Sequence, residues 1–112
     1  VAYSIVYYNE AVQQAVLALP ATLAARYVVL TRRMLVLGPN LGAPHTEPFG
    51  GGLFELRLRG QEGIARVFYC TLVGKRIVML HCFIKKGQKA PLGEIEIAKT
   101  RLKEVKRDAQ PR

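Results

Sequence analysis

The chain has 112 residues, and 17 Lys and Arg against 8 Asp and Glu give it a formal charge of +9. That length supports one domain with one core, burying roughly two-thirds of the unfolded surface, and excludes a two-domain dehydrogenase or a full kinase. Half of the residues are apolar and only 22% are charged, which excludes a disordered basic tail and leaves a globular protein whose charge suits a phosphate backbone, an anionic membrane surface or an acidic protein.

Ile5-Val6-Tyr7-Tyr8 is a short β-branched and aromatic run, expected as an edge or terminal strand. Asn9 then has the chemistry of a helix cap, with Glu10 in the first turn, and a helix is predicted over Glu10 to Leu19. Pro20 cannot continue that helix but suits the first turn of a second one running to about Leu37, so a helical hairpin is expected. Leu23, Tyr27, Val28, Met34 and Leu35 form its predicted apolar stripe, with Arg26, Arg32 and Arg33 outside it. Gly38-Pro39 stops the helix, and the Gly, Pro, Asn, His and Thr composition of Pro39 to Gly52 predicts a surface loop. Leu53 to Arg59 alternates as a strand. Ile64 to Val73 and Arg76 to Ile84 follow, separated by turns at Gly60 to Gly63 and Gly74-Lys75, giving an antiparallel meander. A basic loop from Lys85 to Pro91 leads to a last helix over Gly93 to Arg107, whose seam of Ile95, Ala98, Leu102 and Val105 is expected to pack on the sheet. The fold class is therefore α+β: a single domain, with a small antiparallel sheet packed against an N-terminal helical hairpin and a C-terminal helix.

A symmetric turn about Gly74-Lys75 pairs Arg66 with Phe83, Phe68 with His81, Cys70 with Met79 and Val67 with Cys82. The two cysteines then lie on opposite faces and read as buried free thiols. No Cys-x-x-Cys or His-x-x-x-His spacing offers a metal site, and no cofactor is expected. A turn about Gly60 to Gly63 places Arg57 opposite Arg66, so Arg57, Arg66, Lys85, His81 and an aromatic ring share one surface. Like charges directly opposite destabilise a sheet, and Glu55 alone falls short of neutralising them, which points to an anionic ligand. Cations around rings suit single-stranded nucleic acid. The alternative is a surface network of Arg57 and Arg66 with Glu55 and Glu62, with Phe68 and Phe83 as core; the registers alone weigh the two evenly.

Pro44-His45-Thr46, Gly52-Leu53-Phe54-Glu55-Leu56-Arg57, Gly63-Ile64-Ala65-Arg66-Val67-Phe68-Tyr69 and Leu80-His81-Cys82-Phe83-Ile84-Lys85-Lys86, followed by Pro91, resemble the phage-derived, HigB-like branch of the RelE superfamily of toxins. The resemblance covers nearly the whole chain, including Tyr8-Asn9-Glu10 and Leu19-Pro20; Ala90 departs from it where a hydroxyl residue commonly precedes the proline. It implies the toxin of a type II toxin–antitoxin pair: a ribosome-dependent endoribonuclease that cleaves mRNA and is neutralised by a cognate helix-turn-helix antitoxin. Carried over by motif, Arg57, Arg66, Lys85 and Lys86 are the candidates for RNA contact and chemistry, followed by His81, with Phe83, Lys89 and Arg59 as RNA-binding residues.

Such cleavage, which needs no metal, requires a base for the ribose 2′-oxygen, charge stabilisation at the pentavalent phosphate and an acid for the departing 5′-oxygen. Guanidinium groups suit the second task because they bind two oxygens in one plane and stay charged, which favours Arg57 and Arg66. A lysine in a crowded cationic site, or a histidine, suits the proton transfers, although a histidine within an apolar strand is more often core. His45 reads as a surface histidine, Glu94 and Glu96 as first-turn residues that suit the helix dipole, and Lys103 to Arg112 as a solvated basic end. Two further functions share this fold: a ParE-type toxin blocking DNA gyrase without cleavage, and a catalytically silent nucleic-acid-binding module. With no bilayer-spanning run and no signal-type N-terminus, the expected location is cytoplasmic and no membrane partner is expected.

Overall fold

The computed structural model describes residues 2–85 and 91–109. In chain order the elements are β1 (Ser4–Tyr7), α1 (Glu10–Leu17), α2 (Ala21–Leu37), β2 (Thr46–Gly50), β3 (Leu53–Gly60), β4 (Gly63–Leu72), β5 (Arg76–Ile84) and α3 (Leu92–Ala109). The sheet order is β1-β5-β4-β3-β2, with β2 to β5 an antiparallel meander and β1 parallel to β5. The expected α+β architecture is present, in three layers.

Alternation along the strands builds a core on each face of the sheet. Leu56, Leu58, Ala65, Val67, Tyr69, Ile77, Met79 and Cys82 pack against Val12 and Val16 of α1 and Leu23, Tyr27, Leu30 and Met34 of α2. On the other face Leu53, Phe68, Cys70, Val78 and Leu80 meet the α3 seam, where Ala98 and Leu102 are buried and Ile95 and Val105 pack alongside. Cys70 and Cys82 are free and buried on opposite faces. Asn9 caps α1 as expected, its Oδ1 accepting from the Val12 N–H at 2.9 Å. Leu23, Tyr27 and Met34 of the predicted α2 stripe are buried, but Leu30 and Thr31 complete it in place of Val28, which is 44% exposed. Thr31 satisfies its hydroxyl within the helix by donating to the Tyr27 carbonyl at 2.7 Å.

Two expectations are corrected. The predicted loop from Pro39 to Gly52 contains β2, which pairs Thr46 with Leu56, Glu47 with Glu55 and Pro48 with Phe54. The β4–β5 turn is also wider than two residues. Leu72 pairs with Arg76, so Val73, Gly74 and Lys75 form the turn, with Gly74 at φ 87° and Lys75 at φ 57°. A bulge then restores the predicted pairs beyond it: Tyr69 faces Met79 but Phe68 faces His81, with Leu80 as the extra residue. Cys70 accordingly faces Val78 rather than Met79. Arg101 of α3 donates to the Leu80 carbonyl at 2.8 Å and covers the Tyr8 ring, tying the last helix to the bulge.

Candidate RNA interface

The registers set the α3-facing side of the sheet in successive rows. Glu47, Glu55, Phe68 and His81 form one row; Arg57, Arg66 and Phe83 form the next. Arg59 and Ile64 pair in a third, where the Lys85 N–H donates to the Ile64 carbonyl at 2.8 Å. The face thus changes from apolar beneath α3 to basic toward the ends of β3 and β5. Side-chain exposure rises across it, from 0% at Glu55 to 15% at Arg66 and 34% at Arg57.

Arg57 and Arg66 are direct cross-strand neighbours, and Glu55 lies between their charges. Its carboxylate accepts from Arg57 Nε at 2.7 Å through one oxygen and from Arg66 Nη1 at 3.2 Å through the other. Glu47 on β2 binds the Arg57 Nη2 group. The expectation that Glu55 stands alone is therefore corrected: two carboxylates face two guanidiniums, like charges opposing across strands and opposite charges lying diagonally. Glu62 is outside this network, accepting instead from Thr22 of α2. The Glu55 hydrogen bond raises the Arg57 pKa further above its ordinary value, so both pairing and chemistry keep its charge fixed.

Neither guanidinium is used up by its carboxylates. A guanidinium carries five N–H donors; Arg57 commits Nε and an Nη2 N–H, and Arg66 commits an Nη1 N–H. Arg66 Nε is buried with no hydrogen-bond partner among the described residues. The Phe83 ring is half-buried, stacked 5.9 Å from Phe68 and 5.7 Å from His81, so it belongs partly to the core. His81 Nε2 is paired with Glu94 in the first turn of α3, which gives that glutamate a role beyond the helix dipole. Lys85 is half-buried at the end of β5, whereas Lys86 and Lys89 lie outside the described residues. Among the described residues, no three His, Cys, Asp or Glu side chains converge to hold a metal.

Beside the arginine pair, a small cleft opens at the β3 edge, lined by Arg26, Pro44, His45, Arg57 and Arg59. Sequence reasoning missed Arg26 and His45. The usable signal for Arg26 was its place off the apolar stripe of a helix that packs on the sheet; His45 was marked by the Pro44-His45-Thr46 motif, but its place beside Arg57 follows only once β2 is recognised. The loop holding His45 is pinned by Thr46, whose hydroxyl donates to Asn40 Oδ1 and accepts from the Gly42 N–H, each at 2.9 Å. The His45 carbonyl in turn accepts from the Arg57 N–H at 2.8 Å.

Residues 14–103 match the model of the family described as Phage derived protein Gp49-like (DUF891). The chain belongs to this family. Gp49-like proteins are a toxin-like family related to RelE and HigB, and the matched span contains Arg26, His45, Glu55, Arg57, Arg59, Arg66, His81, Phe83 and Lys85. No curated protein matches the chain in sequence.

Proposed function

We propose that this Gp49-like chain is the toxin of a type II toxin–antitoxin pair, a metal-independent endoribonuclease that cleaves mRNA on the ribosome in the cytoplasm and is neutralised by a cognate helix-turn-helix antitoxin. The observation that carries the reading is the Arg57–Arg66 cross-strand pair, locked from beneath by the buried Glu55 and left with uncommitted N–H donors. Donors fixed before the substrate arrives need no reorganisation as negative charge develops on the scissile phosphate. Arg66, the more buried of the two, supplies the stronger field, because lower local dielectric strengthens its interaction with that charge. Proton transfer falls to His81, oriented through Nε2 by Glu94, or to Lys85 at the end of β5; Lys86 has the same chemistry. Family membership and the net charge of +9 support an RNA substrate over a gyrase-blocking role.

The test is induction of the chain in bacteria with primer-extension mapping of new mRNA 5′ ends, beside Arg66→Lys and Arg66→Gln. Wild type should produce cuts confined to translated frames. Arg66→Lys keeps the charge but loses the planar fork, so cleavage should fall roughly 100-fold, in the range for loss of a single charge-stabilising donor, while the protein remains folded by circular dichroism. Growth arrest without new ends would overturn the ribonuclease reading.

A further inference from the structure

We propose that the cleft at the β3 edge is a second phosphate subsite, which takes a backbone phosphate of the same single strand whose scissile phosphate sits at Arg57 and Arg66. The inference rests on the ribonuclease reading for the identity of the strand, but the phosphate chemistry of the cleft stands on its own geometry. Four basic side chains from three separate segments converge there: Arg26 from α2, His45 from the loop before β2, and Arg57 and Arg59 from β3. Pro44 completes the lining, and no carboxylate contributes to it.

The charges at this cleft differ from the pair beside them. Arg57 has Glu55 and Glu47, but among the described residues neither Arg26 nor Arg59 has a carboxylate partner and the His45 ring has no hydrogen bond. Holding Arg26 and Arg59 beside Arg57 with no carboxylate of their own is unfavourable in the free protein, and an anion in their midst relieves it. The cavity measures about 60 Å³, roughly twice the liquid share of one water. That is room for a phosphoryl head among the three guanidinium groups. Arg57 belongs to both places, so the two phosphates are neighbours along one strand that passes over the β3 edge. The half-buried Arg26 and the pinned His45 loop give the cleft a fixed shape, unlike a row of exposed lysines.

The full chain is titrated with inorganic phosphate while the His45 ring and arginine Nε–H resonances are followed by NMR. In parallel, binding of a short 2′-O-methyl single-stranded RNA, which cannot be cleaved, is measured against salt for wild type, Arg26→Gln and Arg59→Gln. Phosphate should shift the His45, Arg26 and Arg59 signals saturably, and Arg26→Gln should abolish the His45 response. Each variant should lower the salt dependence of RNA binding by about 0.7 in log–log slope, the value for one lost phosphate contact on a single strand, with a thermal midpoint at or above that of wild type, since one of the mutually repelling cations is gone. Slopes unchanged in both variants, together with a His45 ring indifferent to phosphate, would overturn the subsite. A His45 response to an acidic peptide but not to phosphate would also overturn it, in favour of a protein partner. If mRNA cleavage fails while the phosphate response and slope changes hold, the subsite survives and the ribonuclease reading does not.

Discussion

Removing the Glu55 charge tests the architecture beneath the arginine pair. Glu55 is fully buried and is the shared acceptor for Arg57 Nε and Arg66 Nη1. Glu55→Gln keeps the shape, but the amide offers one acceptor and one donor where two acceptors are needed, so one guanidinium meets an N–H and the Arg57–Arg66 repulsion is no longer offset from below. Removing one partner of a buried ion pair costs about 3 to 5 kcal/mol; the lower end applies here because Gln retains one hydrogen bond and Glu47 still holds Arg57. At about 2.1 cal/mol/K per residue of unfolding entropy, a loss of about 3 kcal/mol in this 112-residue chain lowers the thermal midpoint by roughly 13 °C. Calorimetry and urea denaturation measure it. Adding Arg66→Met removes the stranded cation, so the double variant should be more stable than Glu55→Gln alone by about 1 kcal/mol or more. A midpoint within about 4 °C of wild type for Glu55→Gln, or strict additivity in the cycle, would refute the claim that this carboxylate holds the pair together.

Burial pushes the Cys70 and Cys82 thiols up to about 11, so about one in a thousand is thiolate at pH 8. The native protein should be inert to a thiol-reactive disulfide reagent and react at both cysteines only when unfolded; a prompt native reaction would contradict their placement. Gly60→Ala should destabilise by about 1 to 3 kcal/mol in urea melts, because a Cβ there overlaps the Thr22 hydroxyl and presses on the Leu23 backbone nitrogen at 3.1 Å. The Thr22 hydroxyl also holds the Glu62 pKa below its ordinary value of 4.5. A depressed carboxylate contributes stability that is present above its unfolded pKa and lost as pH falls through the folded one. Thr22→Val should therefore move the Glu62 titration upward, toward 4.5, and reduce the acid sensitivity of folding; carboxyl NMR reads the midpoint, and an unmoved one would contradict the assignment.

What could be read in the sequence follows from period and parity. Leu56 and Leu58 against Arg57 and Arg59 fix the faces of β3, and the Gly60 to Gly63 turn fixes Arg57 opposite Arg66 without knowledge of the third dimension. The basic face was therefore legible, and so was the separation of the cysteines. The Leu80 bulge was not, because nothing local distinguishes an extra residue in an apolar run. The wider turn and the bulge compensate, leaving Arg66 with Phe83 and Phe68 with His81 as expected. β2 was hidden by Pro48 and Gly50, which are poor strand formers. An edge position tolerates Pro48 because no ladder partner needs its missing N–H.

Missing β2 also distorted the electrostatic reading, since it conceals Glu47 and leaves Arg57 and Arg66 with too little compensation. With β2 in place, the pair is internally balanced, and the demand for an outside anion moves to Arg26, His45 and Arg59. Under the proposed ribonuclease activity, the two groups of cations do different work. A compensated pair is held in fixed geometry, which suits stabilisation of charge that appears only as the phosphate reacts. An uncompensated cluster attracts a phosphate that is already charged, which suits ground-state binding. Loss of Arg66 should then fall mainly on the chemical step, and loss of Arg26 mainly on the concentration of RNA needed to reach it. Single-turnover cleavage on programmed ribosomes separates the two effects. Equal loss of rate at saturating substrate for both variants would remove the division of labour between the locked pair and the open cleft.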